Sequence, residues 1–146
     1  MKAGLAREGI GVGDRTYVLV FEPGEEVMEG LLSFAQHNNI TSGHFTGIGA
    51  FSESVVAFFD MTSKEYLRIP VNEQVEVLAL VGNIALYEGR PRIHAHVTLG
   101  RVDGTTCGGH LLEGRVRPTL EVVLTQLPEL LRRERDEDTG LPLLAL

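Results

Sequence analysis

Apolar and polar residues alternate along most of this chain, and the alternation predicts a protein built mainly from β-strands. The segment 16–21 (TYVLVF) is rich in β-branched and aromatic residues. The segment 75–81 (VEVLALV) is apolar enough to be a central strand, and Glu76 is then a charge inside it. The predicted strands are 16–21, 43–49, 54–61, 65–70, 74–81, 83–87, 92–101, 105–113 and 119–125.

One early segment has the spacing of a helix. The apolar residues between Val27 and Ala35 recur at intervals that place them on one helical face. Glu26 and the glutamate before it lie where a helix N-terminus favours negative charge. Asn39 tolerates the left-handed conformation that ends many helices. These signals predict a helix that packs on the core.

The C-terminal part is predicted to add a short second helix over 128–135 and an apolar tail over 141–146 (LPLLAL). We expect so apolar a tail to dock on its own subunit or on a neighbour. One early helix followed by many strands predicts the α+β class, with a mixed or largely antiparallel sheet. The length predicts a single domain over 1–146, with a core at 15–127 and the C-terminal helix and tail at 128–146.

Composition narrows the classes of partner. The net charge is −7, from 13 basic and 20 acidic residues, whereas proteins that bind DNA on their own usually carry a basic surface. No apolar run is long enough to span a membrane, and the N-terminus lacks the apolar segment of a signal peptide. The single cysteine, Cys107, cannot form an internal disulfide. We therefore expect a cytoplasmic protein without a membrane partner.

Three glycine-rich segments resemble binding motifs but lack the required context. The glycines of 9–13 (GIGVG) precede a predicted strand, and those of 47–50 (GIGA) lead into further strand rather than into a helix. Neither segment therefore matches a phosphate-binding loop. The segment 89–92 (GRPR) lies between acidic and strand-forming residues. All three are predicted to be structural turns.

The most informative chemistry is a group of three histidines, His94, His96 and His110. Residues two apart on a strand project to the same face, so the first two can bind one ion together. A two-residue Asp-Gly loop in the following hairpin would place His110 opposite Val97, on the other face. A three-residue loop over 102–104 would place His110 opposite His96. A bulge at 108–109 could also turn His110 across. Asp-Gly is compatible with both loops, and the sequence leaves the register open.

Three neutral imidazoles suit zinc, iron, copper or nickel and leave an open coordination position. The prediction is a divalent transition-metal site, with zinc preferred; the alternative is a structural histidine cluster. Glu76, Glu113 and Glu121 are candidates for acid–base or outer-sphere roles, or else ordinary strand charges. Cys107 is interpreted as a buried structural thiol, and as a fourth ligand only if the strand bulges.

The ordered pattern of motifs resembles the plant and prokaryote conserved (PPC) domain. The matching segments are 47–50 (GIGA), 75–83 (VEVLALVGN), 94–100 (HAHVTLG), 108–111 (GGHL) and 121–124 (EVVL). The resemblance covers residues 17–126.

The resemblance implies an α+β homotrimer with a metal site at His94, His96 and His110. Plant members of this family accompany AT-hook segments in nuclear DNA-associated proteins. Stand-alone prokaryotic members are described as predicted DNA-binding proteins. DNA or a regulatory protein is therefore the implied partner, although this chain has no AT-hook core and is acidic.

Three functions remain open at this point. The first is a trimeric metal-binding module with a DNA-linked or protein-linked regulatory role. The second is a zinc-dependent hydrolase or lyase that acts on a small anionic ligand, with metal-bound water as its nucleophile. The third is a purely structural trimer.

Overall fold

The computed structural model describes residues 1–8 and 15–145. It confirms a largely antiparallel α+β fold with one helix in the described part. The elements are β1 (Lys2–Glu8), β2 (Arg15–Phe21), α1 (Val27–His37), β3 (Gly43–Asp60), β4 (Glu65–Val71), β5 (Val75–Tyr87), β6 (Arg90–Gly100), β7 (Thr106–Gln126), β8 (Arg132–Arg135) and β9 (Pro142–Ala145).

Within the described residues, the nine strands form one sheet. Its main order is β1-β2-β7-β3-β5-β8-β9, with β4 added to β3 and β6 paired with both β5 and β7. Every pairing is antiparallel except one parallel bridge, between Leu86 and Arg132. Because β3 also pairs with both β5 and β7, the strands β3, β5, β6 and β7 form a closed circuit. One side of this circuit faces the core and the other faces outward.

The long strands join segments that the sequence predicts separately. The predicted strands 43–49 and 54–61 are one strand, β3, and the same holds within β5 and β7. The predicted corner at 47–50 is a bulge in β3, where the register to β5 shifts between Gly47 and Gly49. A Cβ on Gly49 would lie 2.3 Å from the carbonyl oxygen of Thr119. Glycine at this position therefore allows β3 and β7 to lie close together, which confirms the structural interpretation of the motif.

The inner face of the sheet and the helix enclose the core. Helix α1 packs against β6 and β7 and buries its predicted apolar stripe. The Glu26 carboxylate accepts a hydrogen bond of 2.7 Å from the backbone N–H of Glu29 and caps the helix. Asn39, at φ +52°, ends it in the left-handed conformation. The largest fully buried side chains are Phe21, Phe45, Phe51, Leu19, Leu31, Ile40, Leu80, Ile84, Leu99, Leu111, Leu120 and Leu124.

The predicted helix over 128–135 is wrong. Its last four residues form β8, which makes an antiparallel hairpin with β9. The Asp136 carboxylate closes the turn by accepting hydrogen bonds from the backbone N–H and the hydroxyl of Thr139. The backbone N–H of Leu86 on β5 donates to the carbonyl of Leu131. Partners from β5 and β9 therefore override the local helix propensity of this segment.

The N-terminal strand β1 was not predicted; it pairs antiparallel with β2. The glycine segment 9–13 lies outside the described residues. The turn predicted at 89–92 is displaced: Tyr87 pairs with Arg90 around Glu88 and Gly89, both at positive φ, and Arg90 begins β6. In the parts of the chain described, no helix has the length and hydropathy needed to cross a membrane.

Candidate metal centre

The β6–β7 hairpin brings the three histidines together on the outer face of the sheet. His96 pairs directly with His110, and His94, two residues earlier on β6, projects to the same side. The intervening Ala95 and Val97 point inward and are buried. The ladder runs without a register shift from His96 to Gly100. Of the registers that the sequence left open, the structure has the one that unites the three rings.

The hairpin loop explains this register. The backbone N–H of Arg101 donates to the carbonyl of Thr105 at 2.8 Å, so these two residues close a three-residue loop. Gly104 is left-handed, at φ +83°. The Asp103 carboxylate accepts from the backbone N–H of Thr105 at 2.9 Å and from its hydroxyl at 2.7 Å. The Asp-Gly pair therefore forms the longer of the two predicted loops.

Two glycines allow the strands around His110 to approach. A Cβ on Gly108 would lie 2.3 Å from the carbonyl oxygen of Val97, and one on Gly109 would lie 2.6 Å from that of Ala57. Real side chains do not fit at these distances, so β7 can lie between β6 and β3 only with glycine here. The His110 ring then lies against Tyr66 of β4, with 4.8 Å between ring centroids.

The spacing of the imidazole nitrogens fits a single metal ion. One nitrogen from each ring lies within 4.8 Å of the other two, and Nε2 of His94 is 3.2 Å from Nε2 of His96. Two nitrogens bound to one tetrahedral zinc ion at about 2.0–2.1 Å lie about 3.3 Å apart. Nδ1 of His110 is buried and has no hydrogen-bond partner among the described residues. The donor set and its geometry therefore fit a divalent transition metal.

The electrostatics of the cluster favour neutral ligands. Burial, together with smaller contributions from the neighbouring His94 and His96, lowers the pKa of His110 to about 4. Burial also lowers the pKa of His94, with a second contribution from the Arg133 guanidinium. Both imidazoles are therefore neutral near pH 7, which is the state that binds a metal.

The three candidate glutamates are not in this cluster. Glu113 forms an ion pair with Arg68 of β4. Glu76 is exposed, so the charge predicted inside a central strand is in contact with solvent. Glu121 is exposed on the outer face of β7, opposite Ile48. Among residues 1–8 and 15–145, histidines alone form the candidate metal group, and none of these glutamates belongs to it.

Cys107 lies on β7 opposite Leu99, partly buried against the core, and is not in the metal group. This placement agrees with its interpretation as a structural thiol.

A family model, described as the Plants and Prokaryotes Conserved (PCC) domain, matches residues 9–128. This chain belongs to the PCC domain family. The resemblance inferred from the ordered motifs is thereby confirmed. The matched residues include all three histidines and end before β8.

Solved structures share the whole fold of this PCC protein. A candidate DNA-binding protein from Bacteroides thetaiotaomicron is 29% identical, with a TM-score of 0.89 over 98% of this chain and 96% of that one. A metal-containing protein from Archaeoglobus fulgidus is 31% identical, with a TM-score of 0.84 over 92% and 95% of the two chains. A plant- and prokaryote-conserved protein from Pyrococcus horikoshii is 32% identical, with a TM-score of 0.84 over 99% and 95%.

Curated relatives include the bifunctional protein GlmU of two Synechococcus strains, each 30% identical over 129 residues. The match covers 86% of this chain but only 19% and 20% of the two GlmU proteins. The PCC chain thus spans about a fifth of the length of these relatives.

Two arginines that no sequence motif indicated lie beside the cluster. A cavity of about 230 Å³ is lined by His94 and His110, by Tyr66, and by Arg92 and Arg133. Arg133 comes from the segment predicted as a helix, and no sequence pattern tied it to the histidines. The turn-forming residues of 136–140 (DEDTG) could have indicated this position, because they predict a hairpin with a strand on each side.

Proposed function

We propose that this PCC-domain protein binds one divalent transition metal, with zinc preferred, through His94, His96 and His110. The observation that carries the proposal is the convergence of three imidazoles on one outer face, with two nitrogens at the spacing of ligands to one ion. The similarity to the metal-containing Archaeoglobus protein supports it.

When bound, such an ion would act as a Lewis acid and would accept water or a small ligand at its open position. The protein's own part is to fix the ligands. The β6–β7 ladder aligns His96 with His110, and Tyr66 packs against the His110 ring. This rigidity favours a defined coordination geometry over a loose surface cluster.

Metal content of untagged protein tests the proposal. We expect about one zinc per chain in the wild type after reconstitution and dialysis, and none in the His94→Ala/His96→Ala double variant. A His37→Ala/His44→Ala double variant is the matched control, because both of its histidines lie outside the cluster. Equal metal content in all three proteins, or none in the wild type, would refute the metal centre.

We also propose that the chain assembles as a homotrimer. Val18, Val123 and Val81 lie in one cross-strand row on the outer face, with Thr46 between the last two, and the row continues into His96. Ile48 lies beside this row with 60% of its surface exposed. Exposed apolar residues grouped on one face in this way are typical of an interaction surface.

Light scattering tests the assembly. We expect a mass of three chains for the wild type and for Val102→Lys, a control at a fully exposed turn position. Val123→Lys introduces a charge into the apolar face and should reduce the mass to one chain. A monomeric wild type would contradict the trimer.

DNA binding is the second candidate function, and the similarity to the candidate DNA-binding protein from Bacteroides supports it. The net charge of −7 requires that any contact with phosphates use a local basic surface. Fluorescence anisotropy with a labelled duplex at low salt tests this role. Binding that weakens steeply as salt rises would support the role, and no change in anisotropy at low salt would remove it.

A further inference from the structure

The cavity beside the histidine cluster combines positive charge with apolar walls. Its cationic groups are the guanidinium groups of Arg92 and Arg133. Its apolar walls include Ile93, Leu112 and Pro142. No aspartate or glutamate of the described residues lines it, although the chain as a whole is acidic. This is a local environment for an anion.

The guanidinium of Arg133 is the main candidate to bind an anion in this cavity. Only 8% of its surface is exposed, and in the described parts of the chain no carboxylate forms an ion pair with it. Its guanidinium donates to the carbonyl of Pro142 and to the side-chain oxygen of Asn83, both neutral groups. Its Nε has no hydrogen-bond partner in the described chain. A buried guanidinium is stable when a negatively charged acceptor balances its charge. The described residues provide Arg133 with no such acceptor.

The position of Arg133 connects this charge to the candidate metal centre. Asn83, which holds one end of the guanidinium, is the direct cross-strand partner of His94. His94 and His110 form part of the same cavity wall as Arg133. A ligand in the cavity would therefore contact the guanidinium at one end and lie next to the histidines at the other.

We propose that this cavity binds a small organic carboxylate, with its carboxylate held by Arg133 and its carbon skeleton against Ile93, Leu112 and Pro142. The proposal rests on the proposed metal centre, whose open position the same molecule would adjoin. The planar guanidinium matches the geometry of a carboxylate. The apolar walls favour an organic acid over inorganic phosphate, and the volume of about 230 Å³ restricts the ligand to a short carbon chain.

The residue assigned to the carboxylate lies beyond the family match. That match ends at residue 128, whereas Arg133 and Pro142 belong to the β8–β9 hairpin. This hairpin thus adds an anion-binding wall to a site whose histidines lie within the matched domain.

Calorimetric titration of zinc-loaded protein tests the proposal, with isobutyrate as the probe and isobutyramide as its neutral isostere. We expect saturable binding of isobutyrate, and binding of the amide weaker by about tenfold or more because it lacks the charge that balances Arg133. This comparison uses the wild type and needs no variant to fold. Equal affinity for the two compounds would overturn the proposal.

Variants of two neighbouring residues on β8 test whether the binding of isobutyrate depends on Arg133. Arg133→Met should weaken isobutyrate binding by about tenfold or more, whereas Arg132→Met, at the exposed neighbouring position, should leave it unchanged. Arg133→Lys keeps the charge but loses the planar fork and should lie between them. Unchanged binding in Arg133→Met, or tighter binding of inorganic phosphate than of isobutyrate, would contradict the assignment.

Zinc content of the same samples separates this proposal from the metal centre. We expect Arg133→Met to retain zinc while it loses the carboxylate. If the wild type holds no zinc, the metal centre is refuted; isobutyrate binding that still depends on Arg133 would then support the carboxylate subsite alone. Zinc without any preference for the carboxylate would refute the subsite and leave the metal centre standing.

Discussion

The β6–β7 and β8–β9 hairpins meet at one cavity but differ in how the sequence encodes them. The first carries the three histidines and lies within the family match, and its strands alternate clearly between inward and outward residues. The second lies outside the match, and each of its strands is only four residues long. Its strand β8 also pairs with β5, which supports its extended conformation. The cavity thus combines one hairpin whose strands are evident from the local sequence with another whose strands form because they pair with a distant part of the chain.

The two hairpins also contribute different chemistry. The first supplies neutral imidazoles at fixed spacing, which suit a cation. The second supplies a buried guanidinium, which suits an anion. In the proposed function, the first hairpin would hold the metal and the second would determine what binds beside it.

The largest effect is expected from Gly108→Ala, which breaks the first hairpin. The new Cβ would lie 2.3 Å from the carbonyl oxygen of Val97, and backbone atoms cannot move aside cheaply. We expect a loss of about 3 kcal/mol in the free energy of unfolding, together with loss of metal binding. Urea denaturation and metal analysis measure both. A variant as stable as the wild type would show that β6 and β7 are not held as closely as described.

Metal removal should have the next largest effect. Zinc at one hundred times its dissociation constant should raise the free energy of unfolding by about 2.7 kcal/mol, because it binds only the folded chain. Chelation should abolish that gain in the wild type, and the His94→Ala/His96→Ala variant should not respond to zinc at all. Thermal unfolding with and without zinc makes the comparison. A response of equal size in the double variant would assign the zinc to other residues.

The metal-free chain should lose stability as the pH falls from about 6.5 towards 4. The pKa of His110 is lowered to about 4 in the folded chain, whereas an unfolded histidine has its pKa near 6.5. Between these values the unfolded chain binds the additional proton, so protonation favours unfolding. Urea midpoints at a series of pH values should show this fall, and it should be smaller in His110→Asn. His44→Asn, outside the cluster, should behave as the wild type. Equal slopes in both variants would exclude His110 as the source.

The smallest effect is expected from Gly140→Ala in the second hairpin. Gly140 is left-handed, at φ +74°, but its Cβ would meet nothing closer than 3.8 Å. Conformational strain alone predicts a loss of about 1 kcal/mol in stability, with zinc binding retained. If this variant lost zinc as Gly108→Ala does, the two hairpins would not be separable in the way proposed.

Much of the fold and of the histidine site could be predicted from local patterns. The alternation of β6 placed His94 and His96 on one face, and the stripe beginning at Val27 gave the helix. The register of His110 stayed open because Asp-Gly fits both loops; the structure selects the three-residue loop, with Gly104 left-handed.

The remaining features depend on contacts that are distant in sequence. The segment that contains Arg133 has residues of good helix propensity, and its conversion to a strand needs Leu86 of β5 as a backbone partner. The burial of Arg133 follows from that pairing and not from its neighbours. The sequence prediction divided long strands such as β3 at their glycines, because a glycine such as Gly49 is also typical of a corner. In the structure this position is a bulge within a continuous strand.

X-ray absorption at the zinc edge of the reconstituted protein is the direct test of the three-histidine centre. We expect a first shell of nitrogen and oxygen at about 2.0–2.1 Å, with the multiple-scattering signature of three imidazoles. A sulfur shell at about 2.3 Å would place Cys107 on the metal, and a shell with no imidazole signature would contradict the three-histidine centre.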